Sequence, residues 1–409
     1  MLVVYDTGSF TPYEISAAAE DLCEPVFVLR GENVDPAGTR KLLKGFGKVV
    51  ELPSVRTGLD VLGALDPQGV ITFCDHCVEL SAAIAARLGL RFHSPDTATK
   101  LADKAAQRAA LRAAGLPSPR FAEVTSTAGI DAALATVPLP AVIKPTRGGG
   151  SANTYRVEDG ERARTLLADC LGALRSSMII EEILVGAPGA ASAGWSDIVS
   201  VETLFVAGEA HHLATTGRFP FAPPFRETGS FMPSRLSETR RAEALDLAEV
   251  AATALGVVDG FVHTELKLTG DGWGIVEVNG RLGGFVAWLL QRSRGVEVGT
   301  LALRAALRLP VDPPPSAGVE MRDAAEIAFR RLLVPPVGAK RLEEAAEIVG
   351  VSGRGVIDSV HFRAAPGDSV DWTQGYQAAV AIVSGAVPTH DDLEEVLLTI
   401  DSRVRLTFS

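Results

Sequence analysis

The chain has 409 residues, 47% hydrophobic and 22% charged, a globular balance that implies two or three domains at about 150 residues each. Its net charge of -11, from 39 basic and 50 acidic residues, argues against a nucleic-acid partner, whose phosphates need a basic face. Its apolar runs fall short of the ~20 residues of a membrane span, its start MLVVYDTGSF lacks the basic and long apolar regions of a signal peptide, and its four scattered cysteines form no disulfide framework, so we expect a reducing cytoplasm and no membrane partner.

The first 95 residues alternate short apolar runs with helical patterns. Leu2–Tyr5, Val26–Leu29 and Val70–Phe73 suit buried parallel strands, so residues 1–95 are expected to form a small doubly wound α/β domain. A helix carrying Leu80, Ile84 and Leu88 on one stripe should stop at Gly89. His93-Ser94-Pro95-Asp96 marks a boundary and caps the next helix, with Ala98, Leu101, Ala105 and Ala109 inward and Gly115 at its end. An α+β domain is expected over 96–309. It holds strands at Ala141–Ile143, Met178–Ile180 and Ile198–Val206, a Pro- and Phe-rich loop over Gly217–Pro233, and a helix capped by Ser237 and ended by Gly256. A linker at Val311–Pro315 precedes a mainly β region, 310–409, with strands near Ile327–Leu333, Val356–Phe362 and Val404–Phe408.

Residues 260–281 carry the sharpest signal. Two arms of period-two alternation flank Thr269-Gly-Asp-Gly272, which predicts an antiparallel hairpin. Centred on Asp271, the hairpin sets Glu265 opposite Glu277 and His263 opposite Asn279, all four on one face. Val262, Thr264, Leu266, Val276 and Val278 take the other. Like charges directly opposite are destabilising, so the facing carboxylates need a shared proton or cation. An amide oxygen beside them favours a hard divalent ion, magnesium above all, with manganese as the alternative. An ordinary exposed hairpin with a polar wet face would show the same alternation.

A second signal is the strand that ends in Lys144 and runs into Arg147-Gly-Gly-Gly-Ser151. Glycines let backbone N–H groups approach phosphate oxygens closely, and the lysine supplies a point charge. The spacing is neither that of a Walker A loop nor of a dinucleotide fingerprint. Ala152–Val157 resumes a strand, so the loop is a flap between strands, or else a plain Gly-rich turn.

In this order, Lys104 on a helix, Lys144 and the Gly flap, the acidic stretch Glu181-Glu182-Ile183-Leu184, Glu265, and Glu277-x-Asn279-x-Arg281 resemble the ATP-grasp superfamily. The triplet His263-Thr-Glu265 and the stretch Arg281-Leu-Gly-Gly-Phe285 are most similar to L-amino-acid (dipeptide) ligases. The resemblance implies an ATP-grasp fold and an ATP-dependent ligase forming C–N bonds through an acyl phosphate, from a small-molecule carboxylate and an amine. It implies that Lys104, Lys144, Arg147 and the 148–151 loop (Gly148, Gly149, Gly150, Ser151) contact ATP phosphates. The 181–184 hinge (Glu181, Glu182, Ile183, Leu184) would hold adenine through the backbone of Glu182 and Leu184. Glu265, Glu277 and Asn279 would bind magnesium, and Arg281 with Lys144 would be catalytic. Glu79, His263, Arg281, Gly283, Gly284 and Phe285 would shape the amino-acid site, Glu79 facing the substrate amine. As a helix-start acid, Glu79 is equally explained by the helix dipole. Relatives keep a ribose carboxylate where this chain has Ile198; Asp197 lies one residue away. A homodimer is compatible with the resemblance. The alternative within the superfamily is a carboxylase using bicarbonate through carboxyphosphate.

Three further features are discounted. Cys74-Asp-His76-Cys77 lacks the second ligand pair of a zinc site. His211-His212 beside a turn is expected to be exposed. Phe219, Phe221, Phe225 and Phe231 either cover substrate or pack an Ω-loop.

Overall fold

The computed structural model describes the chain except residues 31–35, 53–54, 193, 312–325 and 346–356. The expected linker therefore lies, beyond Val311, outside the described residues.

Near the N-terminus a parallel sheet runs in the order Lys48–Leu52, Val26–Arg30, Leu2–Val4, Val70–Ile71. Its strands are apolar because helices cover them; Leu2, Val4, Val28 and Val70 are fully buried with Leu80 and Ile84 of the helix Val78–Leu88. That helix ends where expected, with Gly89 at φ +67 supplying the left-handed cap.

The expected helix after Ser94 is two helices. Ser94 caps Pro95–Ala102, and Asp103 then turns extended and caps Lys104–Ala113, its carboxylate accepting from the N–H groups of Ala105 and Ala106 at 3.0 Å. Aspartate satisfies orphan N–H groups better than it sits inside a helix, by about 1 kcal/mol. The break rotates the inward stripe, so Ala109 is exposed while Lys104, Gln107 and Arg108 are buried. It also places Lys104 at a helix start beside the phosphate loop, its N–H donating to Thr146 O at 2.8 Å.

Two large antiparallel sheets follow, besides a two-stranded one that pairs Leu342–Ala345 with Leu406–Phe408. The smaller runs Phe121–Val124, Met178–Glu182, Ala141–Pro145, Tyr155–Val157. The larger has eight strands: Gly272–Asn279, Gly260–Thr269, Ile198–Val206, Glu209–Arg218, Gly229–Met232, Ile327–Leu333, Ala381–Val387, Ile357–Phe362. The last three come from the C-terminal region, so that region extends the sheet that carries the hairpin. Its mainly β character is tempered by the helix His390–Arg403, which buries Leu393, Leu397 and Ile400 against Phe329 and Val383. The two ends of the expected 217–233 loop are strand, and Phe219 and Phe231 are core residues with ring centroids 5.3 Å apart. His212 is buried rather than exposed. It bonds Thr203 Oγ1 at 2.9 Å and approaches Glu249 at 3.4 Å.

Candidate active site

A cavity of about 440 Å³ opens between the two antiparallel sheets. Lys144, Glu181, Glu182, Ile183 and Leu184 line it from the smaller sheet, and Glu265, Lys267 and Glu277 from the larger. The Glu181 side chain is spent on charge neutralisation: its carboxylate meets Arg108 Nε at 2.8 Å and Lys144 Nζ at 2.7 Å. Burial alone would raise its pKa, but Arg108 and Lys144 outweigh burial and hold it at about 2. Arg108 also donates to the carbonyl of Val276. The Glu182 carboxylate binds Arg120, and its N–H already donates to Arg120 O at 2.9 Å. That N–H is therefore not available to a base, which leaves the Glu182 contribution expected at the hinge to its carbonyl; Ile183 and Leu184 follow beyond the strand end. Asp197 lines the cavity and pairs with Lys267 at 2.7 Å, beside Ile198.

The hairpin pairs as expected: His263 faces Asn279, and Glu265 faces Glu277. Its turn is shorter than expected, Thr269 pairing with Gly272, and a bulge between Glu265 and Leu266 on the facing ladder makes up the residue. Val276 is the extra residue; it leaves the buried face and lines the cavity. Bulges re-aim side chains in this way beside functional sites. Glu277 Oε1 takes Lys104 Nζ at 3.0 Å, and Lys104 also reaches Gly148 O at 2.6 Å. Glu265 Oε1 takes Arg218 Nη2 at 3.1 Å and His263 Nε2 at 3.2 Å. His263 and Arg218 hold the Glu265 carboxyl at about 2 against burial. No group of three or more His, Cys, Asp or Glu among the described residues could by itself hold a metal. The donor set of two facing carboxylates and an amide nevertheless fits magnesium, which takes one or two carboxylates and completes its shell with phosphate and water.

A tighter cavity of about 100 Å³ adjoins the hairpin. Arg281 Nη2 pairs with Asp75 Oδ2 at 2.7 Å. Burial would lower the arginine pKa, but Asp75 raises it above the ordinary value; the arginine in turn holds Asp75 low despite burial. Glu202, fully buried, binds His263 Nδ1 and accepts the Gly283 N–H at 3.0 Å. Burial opposes protonation of His263, yet Glu202 and Glu265 push its pKa up to about 9. Arg218 Nη2 lies 3.2 Å from His263 Nε2, and both groups meet Glu265 Oε1. Arg218 also pairs with Glu227. A Cβ on Gly283 would overlap His263, which explains that glycine by packing alone. Phe285, at φ +65, stacks edge-on with Tyr376 at 6.3 Å, and both line the cavity.

The glycine flap lies closed. Gly150 O accepts from Tyr376 N at 3.0 Å, and Asn153 N donates to Thr373 O at 2.8 Å. Gly150 sits at φ +66 with the Tyr376 ring against it, and a Cβ on Gly149 would come 2.7 Å from Asp75 Oδ2.

The structure thus gathers Lys104, Lys144, Arg147, Gly148, Gly149, Ser151, Glu265 and Glu277 on one cavity, and His263, Asn279, Arg281, Gly284 and Phe285 on its neighbour. Glu79 departs from expectation. It binds Arg147 and accepts from Thr99 Oγ1 at 3.3 Å, and it lines a third cavity of about 240 Å³ rather than the one with Arg281 and Phe285. The acid facing Arg281 is Asp75, four residues before Glu79, inside the Cys74–Cys77 segment set aside above. Arg218, Glu202, Glu227 and Tyr376 were also not foreseen. Alternation along Glu209–Arg218, which puts Thr216 and Arg218 on the face of Ser200 and Glu265, was the available signal for Arg218.

A cleft between two antiparallel sheets, with facing carboxylates and a glycine flap, is the arrangement expected of an ATP-grasp fold. Residues 101–285 match the ATP-grasp domain family, and the chain has that fold. It is 30% identical over 247 residues to carnosine synthase 1 of Mus musculus, covering 54% of this chain and 29% of that protein. It is 30% identical over 195 residues to alanine–anticapsin ligase of Bacillus subtilis (strain 168), covering 44% and 41%. The matched span is less than half of either relative's length. Over whole chains, the L-amino acid ligase from Bacillus licheniformis superposes with a TM-score of 0.76 at 22% identity, covering 100% and 98%. Phosphoribosylglycinamide synthetase from Anaerococcus prevotii gives 0.67 at 14% identity, covering 100% and 99%. Among the described residues no helix is long and apolar enough to cross a membrane.

Proposed function

We propose that this protein is an ATP-dependent carboxylate–amine ligase that joins an amino acid to an amine or a second amino acid, giving ADP and phosphate. The observation that carries the reading is the junction of the two cavities at the Glu265–Glu277 pair. One side is large, flanked by Lys104 and Lys144; the other is small and lined by charges of both signs, Arg281 and Arg218 with Asp75 and Glu227. A zwitterionic amino acid matches that second lining, and the amino-acid ligases among the similar proteins support the choice.

A carboxylate is a poor electrophile, so phosphorylation must supply its leaving group. A carboxylate oxygen attacks the γ-phosphorus of ATP, the bond to the bridging oxygen breaks, and ADP departs with the electron pair. Magnesium, held by Glu265, Glu277 and Asn279, would neutralise charge on the phosphates. Lys104 and Lys144 hold phosphate oxygens, and Arg281 spans the transferring group with a planar fork. The closed flap keeps water from the acyl phosphate. The amine nitrogen then attacks the acyl carbon and the C–O bond breaks. Phosphate leaves with the electron pair and one amine proton, and a second proton passes to solvent.

The test is a screen of amino-acid pairs for phosphate release that requires both partners and yields a product lighter than their sum by one water. Phosphate release that depends on bicarbonate and needs no amine would replace this reading with the carboxylase alternative.

A further inference from the structure

We propose that Tyr376, which reaches the site from the C-terminal region, sets the size limit of the amino-acid cavity, so that the amino acid activated here carries a small side chain. The inference rests on the ligase reading above, which assigns that cavity to a zwitterionic amino acid. The cavity holds about 100 Å³, whereas a benzene ring fills one of about 150 Å³. Its charged lining, Arg281 with Asp75 and Arg218 with Glu227, suits the two charged ends of the substrate. The hydrocarbon rings of the lining are Phe73, Phe221, Phe285 and Tyr376, and these face the side chain.

Tyr376 is the ring that the flap holds in place. It belongs to the short helix Trp372–Ala378, and its N–H bond to Gly150 is seconded by the one from Asn153 to Thr373. Gly375, at φ +61, lies so near the flap that a Cβ there would overlap Gly150 O. On one side the Tyr376 ring lies against Gly150, where a Cβ would overlap it; on the other it meets the Phe285 ring edge-on at 6.3 Å. Phe285 is itself backed by the Arg330 guanidinium, which lies 5.1 Å from its ring centroid and 4.6 Å from that of Trp288. With the flap closed, Tyr376 is therefore fixed between Gly150 and Phe285. A larger substrate side chain has to displace the ring together with the flap backbone, and close-packed walls resist even one extra methylene.

Hydroxamate formation from ATP and hydroxylamine reads the choice of activated amino acid without an amino-acid acceptor. For the wild type, kcat/KM should fall at least about tenfold from alanine to leucine. Tyr376→Ala removes the ring and should raise the leucine-to-alanine ratio at least about tenfold. The ratio is taken within one protein, so a general loss from a loosened flap does not move it. Tyr376→Trp tests the same wall by filling it, and should lower the alanine-to-glycine ratio. Tyr376→Phe keeps the ring and should keep both wild-type ratios. Equal use of leucine and alanine by the wild type, or ratios that do not follow ring size across the folded variants, overturns the proposal. Failure of the wild-type protein to form hydroxamate from any amino acid would instead overturn the ligase reading, and this inference with it.

Discussion

Glu265 lies directly opposite Glu277 across the hairpin even though the turn, closed by Thr269 and Gly272, is one residue out of step with that pairing. The bulge at Val276 restores the register. It turns the Val276 carbonyl toward Arg108, whose side chain in turn neutralises Glu181. One extra residue therefore connects the carboxylate pair to the lysine strand across the cavity.

The carboxylate pair should be needed for its charge toward a cation, not for the fold. Glu277→Gln is isosteric, and its main local loss is the 3.0 Å contact with Lys104. Turnover should fall at least about hundredfold, a loss of about 2.7 kcal/mol in transition-state stabilisation, with unchanged circular dichroism and thermal midpoint. Near-normal turnover of the folded variant at moderate magnesium contradicts the assignment.

Arg281→Lys keeps a cation beside Asp75 but loses the planar fork. Most activity should disappear while calorimetry still records ATP binding, because Arg281 lines the small cavity and not the large one. Loss of nucleotide binding with chemistry intact would remove Arg281 from the phosphoryl-transfer role.

The flap is confined by shape at Gly150. A side chain there meets the Tyr376 ring and must adopt φ +66. Gly150→Ala should lower kcat/KM for ATP by about tenfold or more, since a near-attack geometry tolerates little displacement. Gly172→Ala is the matched control. It lies inside the helix Gly160–Leu174 with open space around it, and should stabilise by about 0.5–1 kcal/mol without changing kinetics. Equal kinetics for the two variants would show that the closed flap is unimportant.

Glu181 makes a pH-dependent contribution to stability. Its folded pKa, about 2, lies below the ordinary 4.5. The contribution is therefore complete above about 4.5 and is lost as pH falls through about 2. Glu181→Gln leaves Arg108 and Lys144 with an uncharged partner and should destabilise by about 3–5 kcal/mol at pH 7. In urea unfolding, the gap between wild type and variant should narrow below pH 4.5. A gap that is constant with pH would mean that the glutamate's shape, not its charge, supports the two cations.

The hairpin was legible because a period of two fixes which residues share a face, and the expected pairing of His263 with Asn279 holds because the bulge offsets a turn one residue shorter than expected. The bulge was not, since an extra residue leaves no mark on alternation. Lys104 was legible as a lysine on a helix, but its position at a helix start depends on Asp103 preferring to cap. Arg218 and Glu202 were obscured for a different reason: buried charges are stabilised by partners distant in sequence, here His263, Glu227 and Glu265. Asp75 was hidden between two cysteines whose pattern suggested other chemistry.

The central claim is that a substrate carboxylate is activated as an acyl phosphate. The most direct measurement uses an amino acid labelled with ¹⁸O in its carboxylate, turned over with ATP and an acceptor amine. The account predicts ADP and inorganic phosphate carrying one ¹⁸O atom from the carboxylate. Unlabelled phosphate, or label recovered in AMP, would contradict it.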